Sequence, residues 1–298
     1  MLRSPRVFAA VLATAMLTAL PSAAITGSYQ PDPIHTYVGL AVFYDANGEF
    51  SHRCSGSLIS PSVFLTAGHC VDDADNLSYA RIYFHQEAGA HYDPVTQHDP
   101  VTGYPDECIE GDPLCVTGER LFDYGFDNFA GFPNTRDAGI VLLDEPVTFQ
   151  TDFASLAEAG ALTELANRRG VQDVSFTVSG YGVSDNWPPT QAPLSFRVRL
   201  MAETKLNNLR NAWTAGFNLQ TSSAPGNNRG GTCGGDSGGP VLWGDTDIIV
   251  AVTSFGKREQ CLGNDYSYRI DQQEVLDWIL GIAAMVGEDD DINIVPLA

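Results

Sequence analysis

Short apolar runs recur along the chain and are separated by glycine, proline and asparagine. They include YVGLAVFY, SVFLTAG, AGIVLLD, VSFTVSGYG and DIIVAVTSFG, which are rich in β-branched and aromatic residues. Runs of this kind, bounded by turn residues and without long amphipathic helices between them, are typical of β-strands. The pattern therefore predicts an all-β sandwich or barrel.

One segment near the carboxyl end has a different period. Its apolar positions recur at helical spacing, which predicts a single C-terminal helix: Val275, Trp278, Ile279 and Ile282. Asp271 precedes Glu274 by three residues, an arrangement typical of a capping box at a helix start. Beyond the helix, we expect residues 287–298, GEDDDINIVPLA, to form a solvated and disordered acidic tail.

The first 24 residues have the layout of a secretory signal peptide. Arg3 and Arg6 precede an apolar run that ends at Leu20, and small residues follow as far as Ala24. The run is shorter than the roughly 20 residues that cross a bilayer. We therefore expect a signal peptide at 1–24 and a secreted protein, extracellular or periplasmic, with no membrane attachment in its mature form.

Charge and cysteine content agree with export. The net charge is −21, and loss of Arg3 and Arg6 with the signal would make it −23. A chain this acidic repels nucleic acid phosphates, so we expect no nucleic-acid partner. Six cysteines, an even number in a chain predicted to be exported, suggest three disulfides. Their spacing alone leaves the pairing open.

Two metal sites are alternatives at this stage. Cys54, His69 and Cys70 could hold zinc, although the CxxC spacing typical of such sites is absent. The second site lies between His85 and Asn134, where DPVTQH is followed directly by DPVTGY. This segment reads as a solvated surface insertion, but five of its acidic residues could bind calcium: Asp93, Asp99, Asp106, Glu107 and Asp112.

The stretch GGTCGGDSGGP, from Gly230 to Pro240, places Ser237 among glycines. A serine hydroxyl is a weak nucleophile at neutral pH, so it needs a base, an orienting group for that base and donors for an oxyanion. His69 in LTAGHC and Asp137 in TRDAGIVLLD are the candidate base and orienting acid. The backbone N–H groups of Gly235 and Ser237 are the candidate donors.

In that order, TAGHC, DAGIVLLD and GDSGGP resemble the chymotrypsin-type (trypsin-like) serine protease family. CSGSLIS, VSGYG and SFG add to the resemblance, which covers residues 25–286. The resemblance implies two six-stranded antiparallel β-barrels packed around a cleft, with their boundary near residues 150–165. The sequence departs from the family in one respect, because more residues than usual separate His69 from Asp137. This difference leaves the shape of the cleft rim open.

The resemblance also implies roles for the site residues. His69, Asp137 and Ser237 would form the catalytic triad, and the N–H groups of Gly235 and Ser237 would form the oxyanion hole. The protein would then be a monomeric endopeptidase that acts on protein or peptide substrates without a cofactor. The implied disulfides are Cys54–Cys70 and Cys233–Cys261, which leaves Cys108 with Cys115.

Activation follows from the same resemblance. In the family, a newly cut amino terminus folds inward, and its ammonium pairs with the aspartate before the serine, here Asp236. Ile25 directly follows the predicted signal cut, so signal removal itself would create the activating terminus. The alternative is that Ile25 is only the first residue of the mature chain and that Asp236 has another partner.

Two residues point to different substrate specificities. In the family, one residue forms the base of the primary pocket. It corresponds here to Gly231, which favours apolar substrate side chains. The match of DYSYRI to the family's usual GVYTRV puts Asp265 on the pocket wall, where a carboxylate would meet a basic side chain. Ser254 and Gly256, in SFG, match the segment that binds the substrate backbone.

Two other functions compete with the protease. A protease-like module that only binds partners would lack a triad or oxyanion residue, but all the candidates are present here. A secreted lipase or esterase would have its acid and histidine after the serine. The last histidine is His98, which precedes Ser237, so the sequence disfavours this class.

Overall fold

The computed structural model describes residues 25–72, 76–88, 108–167, 173–184, 198–222, 229–258 and 261–297. The predicted signal peptide, residues 1–24, lies outside these ranges, as do four of the five candidate calcium ligands: Asp93, Asp99, Asp106 and Glu107. Within the described ranges, no helix is long and apolar enough to cross a membrane.

The described chain consists mainly of short strands with one α-helix near its end, as the spacing of apolar residues predicts. The elements are β1 Thr26–Gly27, β2 Gln30–Pro31, β3 Val38–Asp45, β4 Phe50–Leu58, β5 Val63–Thr66, β6 Leu77–Tyr83, β7 Cys115–Gly118, β8 Arg120–Asp123, β9 Gly139–Leu142, β10 Ser155–Ala157, β11 Ser175–Gly180, β12 Leu200–Asn208, β13 Asn218–Ser222, β14 Gly230–Gly231, β15 Pro240–Trp243, β16 Ile248–Gly256, β17 Asn264–Arg269, α1 Gln273–Ala283 and β18 Ile294–Val295.

The first barrel is an antiparallel sheet in the order β7-β6-β3-β4-β5-β9-β8. Its two end strands, β7 and β8, are successive pieces of one strand interrupted at Glu119. The sheet therefore curls into a six-stranded barrel. Strand β3 is buried from Val38 to Tyr44, and β5 and β9 are buried throughout.

The second barrel is formed by β15, β11, β12, β13, β17 and β16, and pairing between β15 and β16 closes the ring. All pairings within this ring are antiparallel. The prediction of two six-stranded barrels is thus confirmed. Five short strands lie outside the rings: β1, β2, β10, β14 and β18.

Two hydrophobic clusters hold the fold together. The larger cluster fills the first barrel and also includes Tyr181, Leu242 and Tyr268 from the second half of the chain. The smaller cluster fills the second barrel around Phe176 and Leu219. Burial of a large apolar side chain contributes roughly 1.5–3 kcal/mol, so side chains that belong to the shared cluster also fix the two barrels against each other.

The predicted helix forms, but the predicted capping box is wrong. Helix α1 begins after Gln272, and no side chain caps it. Asp271 instead pairs with Arg269 at 2.7 Å and accepts the N–H of Leu162 at 2.7 Å. Because the guanidinium of Arg269 is itself buried, it needs a paired carboxylate more than the exposed helix start does.

The prediction of a disordered acidic tail is also wrong for residues 287–297. Glu288 is buried and accepts hydrogen bonds from Ser60 Oγ and from the N–H of Ser62, each at 2.8 Å. Ile292 is buried, and β18 pairs in parallel with β10. The acidic side chains between Glu288 and Ile292, residues 289–291, are exposed to solvent. The tail therefore packs as a strap across the fold.

Candidate active site

His69 lies just beyond a strand of the first barrel. Strand β5 is fully buried, and a single 3-10 turn, Gly68–Cys70, follows it. The disulfide between Cys70 and Cys54 ties this turn to β4. A Cβ on Gly68 would lie 2.7 Å from Asp123 Oδ1, so a side chain there would push the turn out of place. The imidazole of His69 is thereby presented at the barrel edge with 25% of its side chain exposed.

Asp137 is fully buried immediately before β9. Its carboxylate accepts the backbone N–H of His69 at 2.8 Å, and it pairs with His69 Nδ1 at 2.9 and 3.0 Å. The hydroxyl of Ser254, on β16 of the second barrel, also donates to this carboxylate. One carboxylate therefore orients His69 and joins it to the second barrel.

The two groups shift each other's pKa values in opposite directions. Burial raises the pKa of Asp137, but the charge of His69 and the hydrogen bonds from His69 and Ser254 outweigh it, so the pKa is lowered. Burial lowers the pKa of His69, but the charge and hydrogen bond of Asp137 and the charge of Asp72 outweigh it, so the pKa is raised. A neutral His69 with its Nδ1–H on Asp137 would keep Nε2 free to accept a proton.

Ser237 lies in a tight turn that packs against the end of β5, the strand that precedes His69. Its carbonyl oxygen accepts the N–H of Ser55 at 2.8 Å. Gly238 follows with φ +78°, and a Cβ on it would lie 2.1 Å from Thr66 Oγ1 at the end of β5. Only glycine fits both the backbone angle and the space. Ser237 is thus held beside the segment that carries His69.

No hydrogen bond joins His69 Nε2 to Ser237 Oγ among those formed within the described residues. Such bonds are often long in the absence of substrate.

The predicted oxyanion donors, the N–H groups of Gly235 and Ser237, likewise form no hydrogen bond within the described residues. Gly235 has φ +94°, and its carbonyl accepts the hydroxyl of Ser55 at 2.9 Å.

Ser55 is a residue that the sequence reasoning missed. Its hydroxyl donates to Gly235 and accepts the N–H of Tyr181 at 3.0 Å. Ser55 lies in CSGSLIS, and this segment entered the prediction only as part of the family resemblance. A small hydroxyl side chain next to Cys54 was the available signal.

Asp236 is fully buried behind Ser237. Its carboxylate accepts the N–H of Gly182 at 2.8 Å and that of Cys233 at 2.9 Å. Burial raises its pKa to about 7, although these two N–H groups lower it, and the charge of Asp265 adds to the rise. Among the hydrogen bonds and ion pairs of the described chain, none joins Asp236 to Ile25.

The four predicted substrate-binding residues lie together. Asp265 pairs with Gly256 across β17 and β16, and Ser254 is two residues earlier on β16. Asp265 is only 4% exposed, and its carboxylate accepts the N–H of Thr232 at 2.8 Å. Thr232 directly follows Gly231, so the acid on the proposed wall and the glycine on the proposed floor are immediate neighbours.

An aromatic wall is the largest feature that the sequence reasoning missed. Its rings come from both barrels and contact one another in sequence, beginning with Phe126 at 5.8 Å from the His69 ring. The wall consists of Phe126, Phe129, Phe132, Phe255, Tyr266 and Trp213. The aromatic-rich run LFDYGFDNFAGF, residues 121–132, was its only sequence signal.

The cysteines form three disulfides, Cys54–Cys70, Cys108–Cys115 and Cys233–Cys261, as the resemblance implies. The sulfurs of Cys54 and Cys70 lie near His69, but because they are bonded to each other they are not thiolates. The zinc alternative at these residues is therefore wrong. Of the candidate calcium ligands, only Asp112 is described, and it pairs with His85 at 3.0 Å. The calcium site stays a prediction.

The contact between Asp137 and His69 has a measurable consequence. In Asp137→Asn, the loss of negative charge should lower the pKa of the His69 imidazole, as measured by NMR titration of its ring protons. Asp72→Asn is the matched control, since Asp72 acts on His69 through charge alone, and it should lower this pKa by less. Equal pKa values in the wild type and Asp137→Asn would contradict the arrangement.

Comparison with known proteins identifies the family of the chain. The sequence profile of the family described as Trypsin matches residues 30–279. Ovochymase of Halocynthia roretzi is 24% identical over 243 residues, which cover 78% of this chain but only 13% of that protein. The chain thus spans a small part of that relative.

Two solved structures share the fold. HL collagenase has a TM-score of 0.61 at 18% identity, with 87% of this chain and 97% of that chain covered. The scabies mite inactivated protease paralogue S-D1 has a TM-score of 0.58 at 15% identity, with 92% of this chain and 100% of that chain covered. Since the family profile matches most of the sequence, the chain belongs to the trypsin-like serine protease family.

Proposed function

We propose that the protein is a secreted serine endopeptidase that hydrolyses peptide bonds through an acyl-enzyme intermediate. The observation that carries this proposal is the buried Asp137, which is bonded to His69 and Ser254. This arrangement supports a His69 that is oriented to act as a base toward the neighbouring Ser237. The predicted signal peptide and the three disulfides support secretion.

The chemistry follows from these positions. Ser237 Oγ attacks the scissile carbonyl carbon while His69 Nε2 takes the hydroxyl proton, and the N–H groups of Gly235 and Ser237 hydrogen-bond the oxyanion. The imidazolium then gives its proton to the leaving amine, and the C–N bond breaks. Water next attacks the ester carbon while His69 Nε2 takes its proton, and the imidazolium returns that proton to Ser237 Oγ as the ester C–O bond breaks, which releases the acid product and free Ser237.

A non-catalytic binding module is the second candidate. The fold likeness to an inactivated protease paralogue favours considering it. The chain retains His69, Asp137, Ser237 and the Gly235 turn, so we favour catalysis. Loss or retention of peptide turnover distinguishes the two.

The buried Asp236 supports activation by signal removal. Its pKa is raised from 3.8 to about 7, so the fold loses stability as pH rises between these two values, and the full cost of the ionised form is present above about pH 7. Ile25 has φ +67°, a strained angle for a β-branched residue. Cleavage before Ile25 would release this strain and create an ammonium. Strand β1, which directly follows Ile25, already pairs with β14. The ammonium of Ile25 would then pair with Asp236.

We further propose that the primary pocket prefers Arg or Lys before the scissile bond. The support is the buried Asp265, whose carboxylate accepts the N–H of Thr232 directly beside Gly231, so a long substrate side chain in the proposed pocket would approach this carboxylate. A substrate cation would compensate the charge of Asp265, which also raises the pKa of Asp236. The alternative is an apolar preference set by Gly231 alone.

The catalytic proposal is tested with peptides that differ only in the residue before the scissile bond, Arg, Lys, Phe, Leu or Ala. The mature protein should cleave this set, and Ser237→Ala should lower kcat by about 10⁴-fold or more because the nucleophile is lost. Ser78→Ala, on β6, is the matched control and should retain wild-type rates. A mature wild type that cleaves no peptide would favour the binding module.

The pocket proposal is tested on the same peptides with Asp265→Asn and Asp265→Gly. Both variants should lower kcat/KM for Arg relative to Leu by about tenfold or more, since a hydrogen bond to a charged group contributes about 1.5–3 kcal/mol. Asp245→Gly removes one exposed charge elsewhere and should leave the ratio unchanged. An Arg preference that survives in both Asp265 variants would contradict the wall-acid proposal.

The activation proposal is tested by sequencing the amino terminus of the active, secreted protein. The expected first residue is Ile25. An active enzyme that begins at any other residue would overturn the proposal, because its ammonium would not match the position beside Asp236.

A further inference from the structure

The aromatic wall extends from His69 to Lys257. From His69, the contacts pass through Phe126 and Phe129 to Phe255, with centroid distances of 5.8, 5.1 and 5.5 Å. Phe255 stacks on Tyr266 at 4.7 Å, and Tyr266 contacts Trp213 at 6.0 Å. Trp213 is 43% exposed and Phe129 37% exposed, so the wall presents a broad apolar surface to solvent.

The wall is fixed at the junction of the two barrels. The buried amide of Asn218 donates to the carbonyl groups of Pro133 and Trp213, at 2.8 and 3.2 Å. Tyr268 donates to Asn134 Oδ1 at 3.1 Å. These bonds tie the loop that carries Phe132 to the loop that carries Trp213, so the surface is held in shape before any ligand arrives.

Lys257 covers the far end of the wall. Its ammonium lies 3.5 Å from the centroid of the Trp213 ring and 5.1 Å from that of Tyr266. Lys257 is exposed and directly follows β16. The chain has a net charge of −21 and only 16 lysines and arginines. A positive charge held on an aromatic surface is therefore unusual in this protein.

The edge of β16 next to this lysine is open. Within the described chain, β15 pairs with β16 only as far as Val252, whereas β17 pairs with the other edge up to Gly256. An extended peptide could therefore add to β16 along Ser254–Gly256. Because side chains of an extended peptide alternate between two faces, one set of them would then point toward the aromatic wall and Lys257.

We propose that Lys257 is a specificity-determining residue that favours a carboxylate side chain, and disfavours a cationic one, in the three substrate residues before the primary-pocket residue. The proposal rests on the proposed peptidase function for its substrate. The ammonium already occupies the face of Trp213, so a substrate cation meets like charge there, whereas a carboxylate pairs with it.

The test measures binding rather than turnover. In mature Ser237→Ala, fluorescent peptides that carry Glu, Gln or Lys at each of these three positions are titrated by anisotropy. At one position at least, Glu should bind about two- to fivefold tighter than Gln, and Lys should bind more weakly than Gln, as expected for an exposed ion pair. About 1 M salt, which shortens the Debye length to ~3 Å, should remove the difference.

Two further variants in the Ser237→Ala background make the test specific. Lys257→Glu should reverse the order of Glu and Lys peptides, whereas Lys205→Glu should leave it unchanged. Lys205 is the matched control because it lies on β12 and pairs there with Glu203. Equal binding of Glu and Gln peptides at all three positions, or a Glu preference that survives in Lys257→Glu, would overturn the proposal.

Turnover by the protein with Ser237 intact separates this inference from the proposed function. If the Gln peptides are cut but Glu and Gln peptides bind alike, the role of Lys257 is refuted and the peptidase stands. If no peptide is cut but Lys257 still controls Glu binding, the peptidase proposal fails and the acidic-peptide surface stands.

Discussion

The buried carboxylate of Asp137 is the interaction on which the arrangement of this site depends. Asp137 lies between two barrels, with His69 on one side and Ser254 on the other. An ionised carboxylate in such a place is stable only when its lone pairs are filled and a positive or polarisable partner is near. The same bonds that satisfy Asp137 therefore fix the imidazole and hold the second barrel against the first.

Asp236 and Asp137 show how surroundings decide the state of two equally buried acids. Asp137 faces His69, and its pKa is lowered. Burial raises the pKa of Asp236 to about 7, and the like charge of Asp265 adds to the rise, which the two backbone N–H donors only partly offset. The difference shows that Asp137 already has a charged partner in His69, whereas the hydrogen bonds of Asp236 within the described chain come from backbone N–H groups. Lys257 is a contrasting case at the surface, since its contacts within the described residues are with the rings of Trp213 and Tyr266.

The spacing of apolar residues predicted an all-β fold and the final helix, because strand burial follows directly from local composition, whereas the two barrels were implied by the family resemblance. GDSGGP, TAGHC and DAGIVLLD predicted the site residues because each motif needs its glycines or cysteine for close packing. The capping box failed because the buried Arg269 competes for Asp271. The order of the tail depends on Glu288 reaching Ser60, and the aromatic wall combines loops distant in sequence, so neither follows from a local pattern.

The claim that Asp137 and His69 activate Ser237 is tested most directly by covalent labelling. A fluorophosphonate reagent reacts with an activated serine, and the mass of the intact protein reports its rate. The account predicts that mature wild type is labelled once, at Ser237, faster as pH rises through the pKa of His69, and that Asp137→Asn is labelled much more slowly at neutral pH. Equal labelling rates in both proteins, or labelling at another serine, would contradict it.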